Sequence, residues 1–168
     1  MQPRPDGEAA QAAQSESGRA NMRPDGEAAQ AAQSESGRAN MPAETPPAGI
    51  PLIRTVAMPA DSNANGDIFG GWIMSQMDLA AGNLAARVSH GRCVTVSADA
   101  MSFLRPVKIG DEISVYCSLV STGRTSMKIA VEAWRRARIT EEEYRVTRAT
   151  FTFVAIDAEG RPRELPKE

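Results

Sequence analysis

The chain has 168 residues, a net charge of −2 and 24% charged side chains: enough for one domain of ordinary size, without the basic excess of a nucleic-acid binder. The charge is unevenly divided, because residues 1–49 hold four Arg against seven Asp and Glu (−3), which leaves +1 for the remainder. Two cysteines, Cys93 and Cys117, with no C-x-x-C spacing favour a reducing compartment over a disulfide-built secreted fold, and the absence of a signal-peptide core or a long apolar span argues against export and membrane insertion, so a cytoplasmic location is expected.

Residues 1–49 carry almost nothing large and apolar, and such a composition cannot offset the entropy of ordering the chain, so disorder is expected there. Within it, RPDGEAAQAAQSESGRANM fills residues 4–22 and recurs without one difference at 23–41. This unit has no apolar stripe to stack on its copy, so it reads as a duplicated appendage rather than a solenoid repeat, with Met22 and Met41 as alternative starts. Pro42, Pro46, Pro47 and Pro51 form a stiff linker into a single domain over residues 50–168.

The domain opens with a short strand over residues 52–58. Residues 68–89 have the helical period, with Phe69, Ile73, Met77, Ala80, Leu84 and Val88 on one side, Asp67 as N-cap or first-turn acid, and His90-Gly91 as the stop, the glycine taking the left-handed conformation. Residues 94–104 alternate as a strand, with Val94, Val96, Ala98 and Ala100 on one face and Thr95, Ser97, Asp99, Met101 and Phe103 on the other. Further strands run from Ile113 through Leu119, over 125–135 after the Thr122-Gly123-Arg124 turn, and over 145–157. The links between these later strands are too short for parallel crossovers, so the fold class is α+β, an antiparallel sheet of five to six strands with one long helix on one face. The uncovered face and edge of so small a sheet predict a homo-oligomer.

Beside the apolar stripe the helix carries a second one, Gly71, Ser75, Asp78, Gly82 and Ala85: small residues around one carboxylate. On the helix alone, Asp78 reads equally well as a solvated or ion-paired residue and as the floor of a narrow site. The loop ahead of it shifts that balance. Asn63, Asn65 and Gly66 suit self-capping turns, and Gly70-Gly71 at a helix start exposes unhindered N–H groups where the dipole favours negative charge. Such a helix start polarises a carbonyl that gains charge. Asn63 adds an amide for water or the same carbonyl, and Asp78 a base, so the groups needed for hydrolysis are all present. His90 is the only histidine, which excludes a histidine-rich metal site and a Ser–His triad within one subunit; no metal and no cofactor are expected.

The runs RTVAMPADSNANGDIFGGWIMSQMDLA and HGRCVTVSADAMSFLRPVKIGDEISVYC closely resemble the hotdog-fold acyl-CoA thioesterases of the small bacterial short-to-medium-chain type. The N-x-N-G-D-x-x-G-G-W run, the Met77-Asp78 pair and the F-x-x-P-x-x-x-G-D segment fall in that family's order, and the likeness spans residues 53–166. It implies a helix wrapped by antiparallel strands, a double-hotdog dimer with active sites at the interface, and assembly as a trimer of dimers. By the resemblance the catalytic aspartate is Asp78, either activating water as general base or attacking directly as nucleophile to form an anhydride, the loop asparagine is Asn63, and the carbonyl-polarising N–H belongs to Gly71, with Gly70 beside it; acyl-CoA is the substrate and coenzyme A a product. Cationic contacts to coenzyme A are expected from Arg124 and Arg105 first, then Arg92 and Lys108, with Ser75, Gly82, Thr125 and Ser126 lining the ligand's path. The chain departs from its relatives at Ala81-Gly82-Asn83, where a Gly-Gly pair and an apolar residue are common, which implies that Ala81 narrows the approach of acyl chain or partner helix. Rival readings are a hotdog dehydratase, for which His90 is poorly placed, and an acyl-CoA binder without turnover.

Overall fold

A computed structural model describes residues 44–166. The tandem repeat and all but the last residues of the segment expected to be disordered lie outside that range. The chain runs through β1 (Ile53–Val56), a 3-10 turn (Pro59–Asp61), α1 (Gly70–Ser89), β2 (Cys93–Ala98), β3 (Glu112–Thr122), β4 (Ser126–Arg136) and β5 (Glu143–Ala155). All neighbouring strands pair antiparallel in the order β1-β3-β4-β5-β2. One sheet of five strands curls around one helix, as expected, and β2, the first strand after the helix, forms an edge. No helix among the described residues is long and apolar enough to cross a membrane.

Ile73, Met77, Ala80, Ala81 and Ala85 of α1 pack on Ile113, Val115, Met127, Ile129, Val131, Ala133, Phe151 and Phe153 of the sheet, all essentially without solvent contact. Each fully buried Ile or Met contributes about 1.5–3 kcal/mol. The buried face is rotated from the expected stripe: Phe69 is 60% exposed, and Ala85, assigned to the small-residue stripe, lies in the core. Ala81 is likewise turned into the core, so it does not narrow the ligand approach.

Both helix ends differ from expectation. The helix begins at Gly70 with Phe69 as an extended N-cap that gives no side-chain hydrogen bond. Asp67 caps nothing; its carboxylate pairs with Lys108 Nζ instead. At the other end His90, not Gly91, takes the left-handed conformation, at φ 52° and ψ 40°, while Gly91 N–H reaches back to Ala86 O at 3.2 Å. A side chain with a Cβ costs about 1 kcal/mol there. His90→Gly is therefore expected to raise stability by about 0.5–1 kcal/mol, seen as a thermal midpoint a few degrees higher at equal protein concentration; a lower midpoint would show that the imidazole makes contacts outweighing the strain.

The strand expected over 94–104 ends at Ala98. Beyond it the chain touches β5 only at intervals, with Asp99 N–H to Thr150 O and Leu104 N–H to Val146 O, both 2.9 Å. The alternation is also broken inside β2, where the register slips between Thr95, opposite Phe153, and Ser97, opposite Thr152. This bulge at Val96 puts Ala98, opposite buried Phe151, on the same face as Thr95, whereas strict alternation separates them. Val94 and Val96, 42% and 55% exposed, stand on an edge with no strand beside it.

Candidate active site

Asp78 sits in the third turn of α1, half-buried, and its Oδ1 accepts a hydrogen bond from Thr95 Oγ1 at 2.7 Å. Thr95 reaches it because its place opposite the inward-facing Phe153 turns its side chain toward the helix. The pair lies in a cavity of about 490 Å³ whose lining includes Gly82, Asn83, Arg92 and Cys93 and extends toward the helix C-terminus. At Gly82 the ring of Phe153 stands 3.7 Å from where a Cβ would be, so the absent side chain keeps the cavity open next to the carboxylate. Burial pushes the Cys93 thiol up, against the pull of Arg163 and with help from the charge of Asp78. Cys117 is pushed up to about 12 by burial. Both cysteines therefore stay protonated near neutral pH and neither supplies a thiolate nucleophile. Asp78 is the one carboxylate lining that cavity.

Asn63 organises its own loop. Its Oδ1 accepts the N–H groups of Asn65 (2.9 Å) and Asp67 (3.2 Å), and its backbone N–H donates to Asp67 O at 2.7 Å. Two N–H donors on one atom fix which end of the amide is oxygen, and the Nδ2 donors have no partner among the described residues. The loop delivers the chain to Gly70 and Gly71, whose N–H groups lie in the first turn and have no carbonyl four residues earlier within the helix. A Cβ on Gly71 would stand 2.8 Å from the Phe69 ring and one on Gly70 3.4 Å from Phe103.

The structure does not bring all the expected groups together in one chain. Asp78 and Gly71 share a helix face but are two turns apart, about 10 Å along the axis. Gly70 and Arg105 line a separate cavity of about 290 Å³. Arg105 lies over the Tyr144 ring, 4.6 Å from its centre, and Lys108 is paired to Asp67. Arg92, at the far end of the Asp78 cavity, donates to Ala158 O at 3.1 Å and Asp157 O at 3.4 Å. Among the described residues the Arg124 side chain is held only by exposed Glu164 at 3.7 Å, and with His90 it lines a third hollow of about 740 Å³. Thr125 and Ser126 continue that turn into β4. Ser75 is exposed, bonds Trp72 O at 2.7 Å and lines none of these cavities. Among the described residues no group of His, Cys, Asp and Glu is arranged to hold a metal.

Sequence reasoning missed Thr95, which becomes visible only once β2 is laid beside the helix. It also missed Asp111, 3% exposed, which binds Arg135 through two oxygens at 2.5 and 3.2 Å and accepts Lys108 N–H at 2.8 Å. The Gly110-Asp111 pair of the F-x-x-P-x-x-x-G-D segment is thus architectural, Gly110 turning the chain at φ 88°.

Residues 65–141 match the family model described as the thioesterase superfamily. The acyl-CoA thioester hydrolase YciA of Escherichia coli is 50% identical over 125 residues, which cover 73% of this chain and 95% of that protein. The hexameric thioesterase of Yersinia pestis superposes with a TM-score of 0.69 at 48% identity, over 73% of this chain and 100% of that one. A hexameric hotdog-fold thioesterase of Campylobacter jejuni gives 0.67 at 40% identity, over 70% and 91%. With half the aligned residues identical over nearly the whole length of such a relative, and one antiparallel sheet curled about one helix, this chain belongs to the hotdog-fold acyl-CoA thioesterase family.

Proposed function

We propose that the chain hydrolyses acyl-CoA thioesters with Asp78 as general base and the Gly70-Gly71 helix start as the carbonyl-polarising site, the two supplied to each centre by different copies of the chain. The observation that carries this reading is the Thr95–Asp78 hydrogen bond at the mouth of an open cavity. Thr95 holds Oδ1, which leaves Oδ2 to take a proton from water. The water oxygen bonds to the acyl carbon, the carbonyl oxygen gains charge against helix N–H groups, the C–S bond breaks, and the proton returns to the thiolate of coenzyme A. A reacting carbonyl has to lie about 3 Å from both the donor and the attacking water, and that water within hydrogen-bond reach of the base, so with about 10 Å of helix axis between them Asp78 and Gly71 are assigned to different copies. A second copy joined through the bare β2 edge, as in a double-hotdog dimer, sets its own helix start opposite this Asp78. The relatives reported as hexamers support assembly into a trimer of dimers.

Thiol release from acyl-CoAs of two to sixteen carbons tests the activity, and a protein that cleaves none of them while folded and oligomeric leaves the binding reading in its place. The Thr95 bond to a charged acceptor is worth about 1.5–3 kcal/mol, so Thr95→Val is expected to lower kcat between about tenfold and a hundredfold while Thr95→Ser retains most of it. Equal rates for Thr95→Val and the native protein would remove Thr95 from the mechanism.

A further inference from the structure

The cavity beside the helix start has a different chemistry from the one beside Asp78. Its about 290 Å³ are walled by Ile68, Ile73, Phe103, Leu104, Pro106 and Val107. The lining also includes two charged residues, Asp67 paired to Lys108 and Arg105 lying over the Tyr144 ring. The wall is fixed although it belongs to no strand. Ser102 O accepts Thr147 Oγ1 at 2.9 Å, Leu104 N–H donates to Val146 O at 2.9 Å, Pro106 O accepts Tyr144 OH at 2.8 Å, and Val107 O accepts Ile68 N–H at 2.9 Å. Between the first two pins the Phe103 ring leans on the open face of Gly70, 3.4 Å from where its Cβ would be.

Resting on the thioesterase reading, we propose that this cavity takes the acyl chain and that the Phe103 ring sets how long a chain it accepts. A carbonyl held by the Gly71 N–H has Gly70, and hence this cavity, one residue away. The pantetheine arm is the only other part of the substrate that adjoins the thioester, and it carries two amides that need partners once desolvated. The polar side chains of this lining are Asp67 and Arg105, already engaged by Lys108 and the Tyr144 ring, whereas the Asp78 cavity has Asn83, Thr95 and, at its far end, Arg92. The acyl chain therefore goes to the helix start and the pantetheine arm to the Asp78 cavity. A dry cavity of about 150 Å³ holds a benzene ring, which sizes this one for a chain on the order of ten carbons or fewer, and the Phe103 ring takes up part of the space beside Gly70.

The test is kcat/KM for butyryl-, octanoyl- and dodecanoyl-CoA with the native protein, Phe103→Ala and Phe103→Trp. One methylene in an apolar pocket is worth about tenfold or more, so Phe103→Ala is expected to raise the dodecanoyl-to-butyryl ratio at least about tenfold and Phe103→Trp to lower the octanoyl-to-butyryl ratio. Phe103 is 44% exposed, so neither change empties the core. A merely structural role changes all three substrates together. Ratios unmoved in both variants, with butyryl-CoA still cleaved, overturn the acyl assignment and leave the hydrolase standing; a native protein inert to all three substrates overturns both.

Discussion

Asp78→Asn is expected to lower kcat on every acyl-CoA by on the order of a thousandfold, with the oligomer unchanged. The substitution is close to isosteric, and the Asn oxygen still accepts the Thr95 hydroxyl that now bonds Oδ1 at 2.7 Å. What is removed is the ability to take a proton, at a carboxylate that is the only one lining its cavity. Cys93, the other titratable group of comparable position, is kept protonated by its burial and so cannot take over. Thiol release measured beside size-exclusion chromatography separates loss of chemistry from loss of assembly. Native-like turnover by an intact Asp78→Asn oligomer would displace Asp78 from the reaction and assign the proton transfer to another group.

A loss of stability as large as that loss of rate is expected from Asp111→Ala. The carboxylate is 3% exposed and grips Arg135 through both oxygens, and the guanidinium is itself 12% exposed, lying 4.8 Å from the centre of the Tyr144 ring. Removing Asp111 leaves the partly buried guanidinium with only the exposed Glu142, 3.8 Å away, among the described residues, and breaking such a pair costs up to about 3–5 kcal/mol, against a total stability of about 5–15 kcal/mol for a domain. The thermal midpoint should fall by roughly 10–20 °C, compared at equal protomer concentration because assembly also stabilises the fold. The Lys108 N–H loses its acceptor in the same step, so the turn before β3 loosens with it. Replacing Asp111 and Arg135 together with Leu should recover much of the loss, since an apolar pair leaves no stranded charge. A single variant as stable as the native protein would mean that water reaches the guanidinium and the pair is not a buried one.

The helix, the antiparallel sheet and the meander of β3, β4 and β5 were legible because each rests on a local period. The errors lie where a local pattern has two physical outcomes. Asp67 looks like an N-cap, but Lys108, forty-one residues on, competes for its carboxylate. Residues 99–104 alternate like a strand, yet alternation does not tell a continuous ladder from a chain pinned at a few points. The bulge at Val96 leaves no mark in the sequence, and it decides which side chains of β2 look at the helix. Asp78 and Asn63 were visible as polar groups set among small or turn-forming residues, whereas Thr95 depends on how β2 lies against α1. The interval between Asp78 and Gly71 was readable from the helical rise alone, and it already required a second chain for the proposed reaction.

On the proposed arrangement, that interval along α1 also shapes how the gene tolerates damage. Each polypeptide lends its helix start to one reaction and its carboxylate to another. A copy impaired at Gly71 and a copy impaired at Asp78, when they meet in one assembly, share out their defects so that one centre carries both and the other carries neither. Two inactive alleles in the same cell can thus restore each other, whereas two copies of either allele cannot.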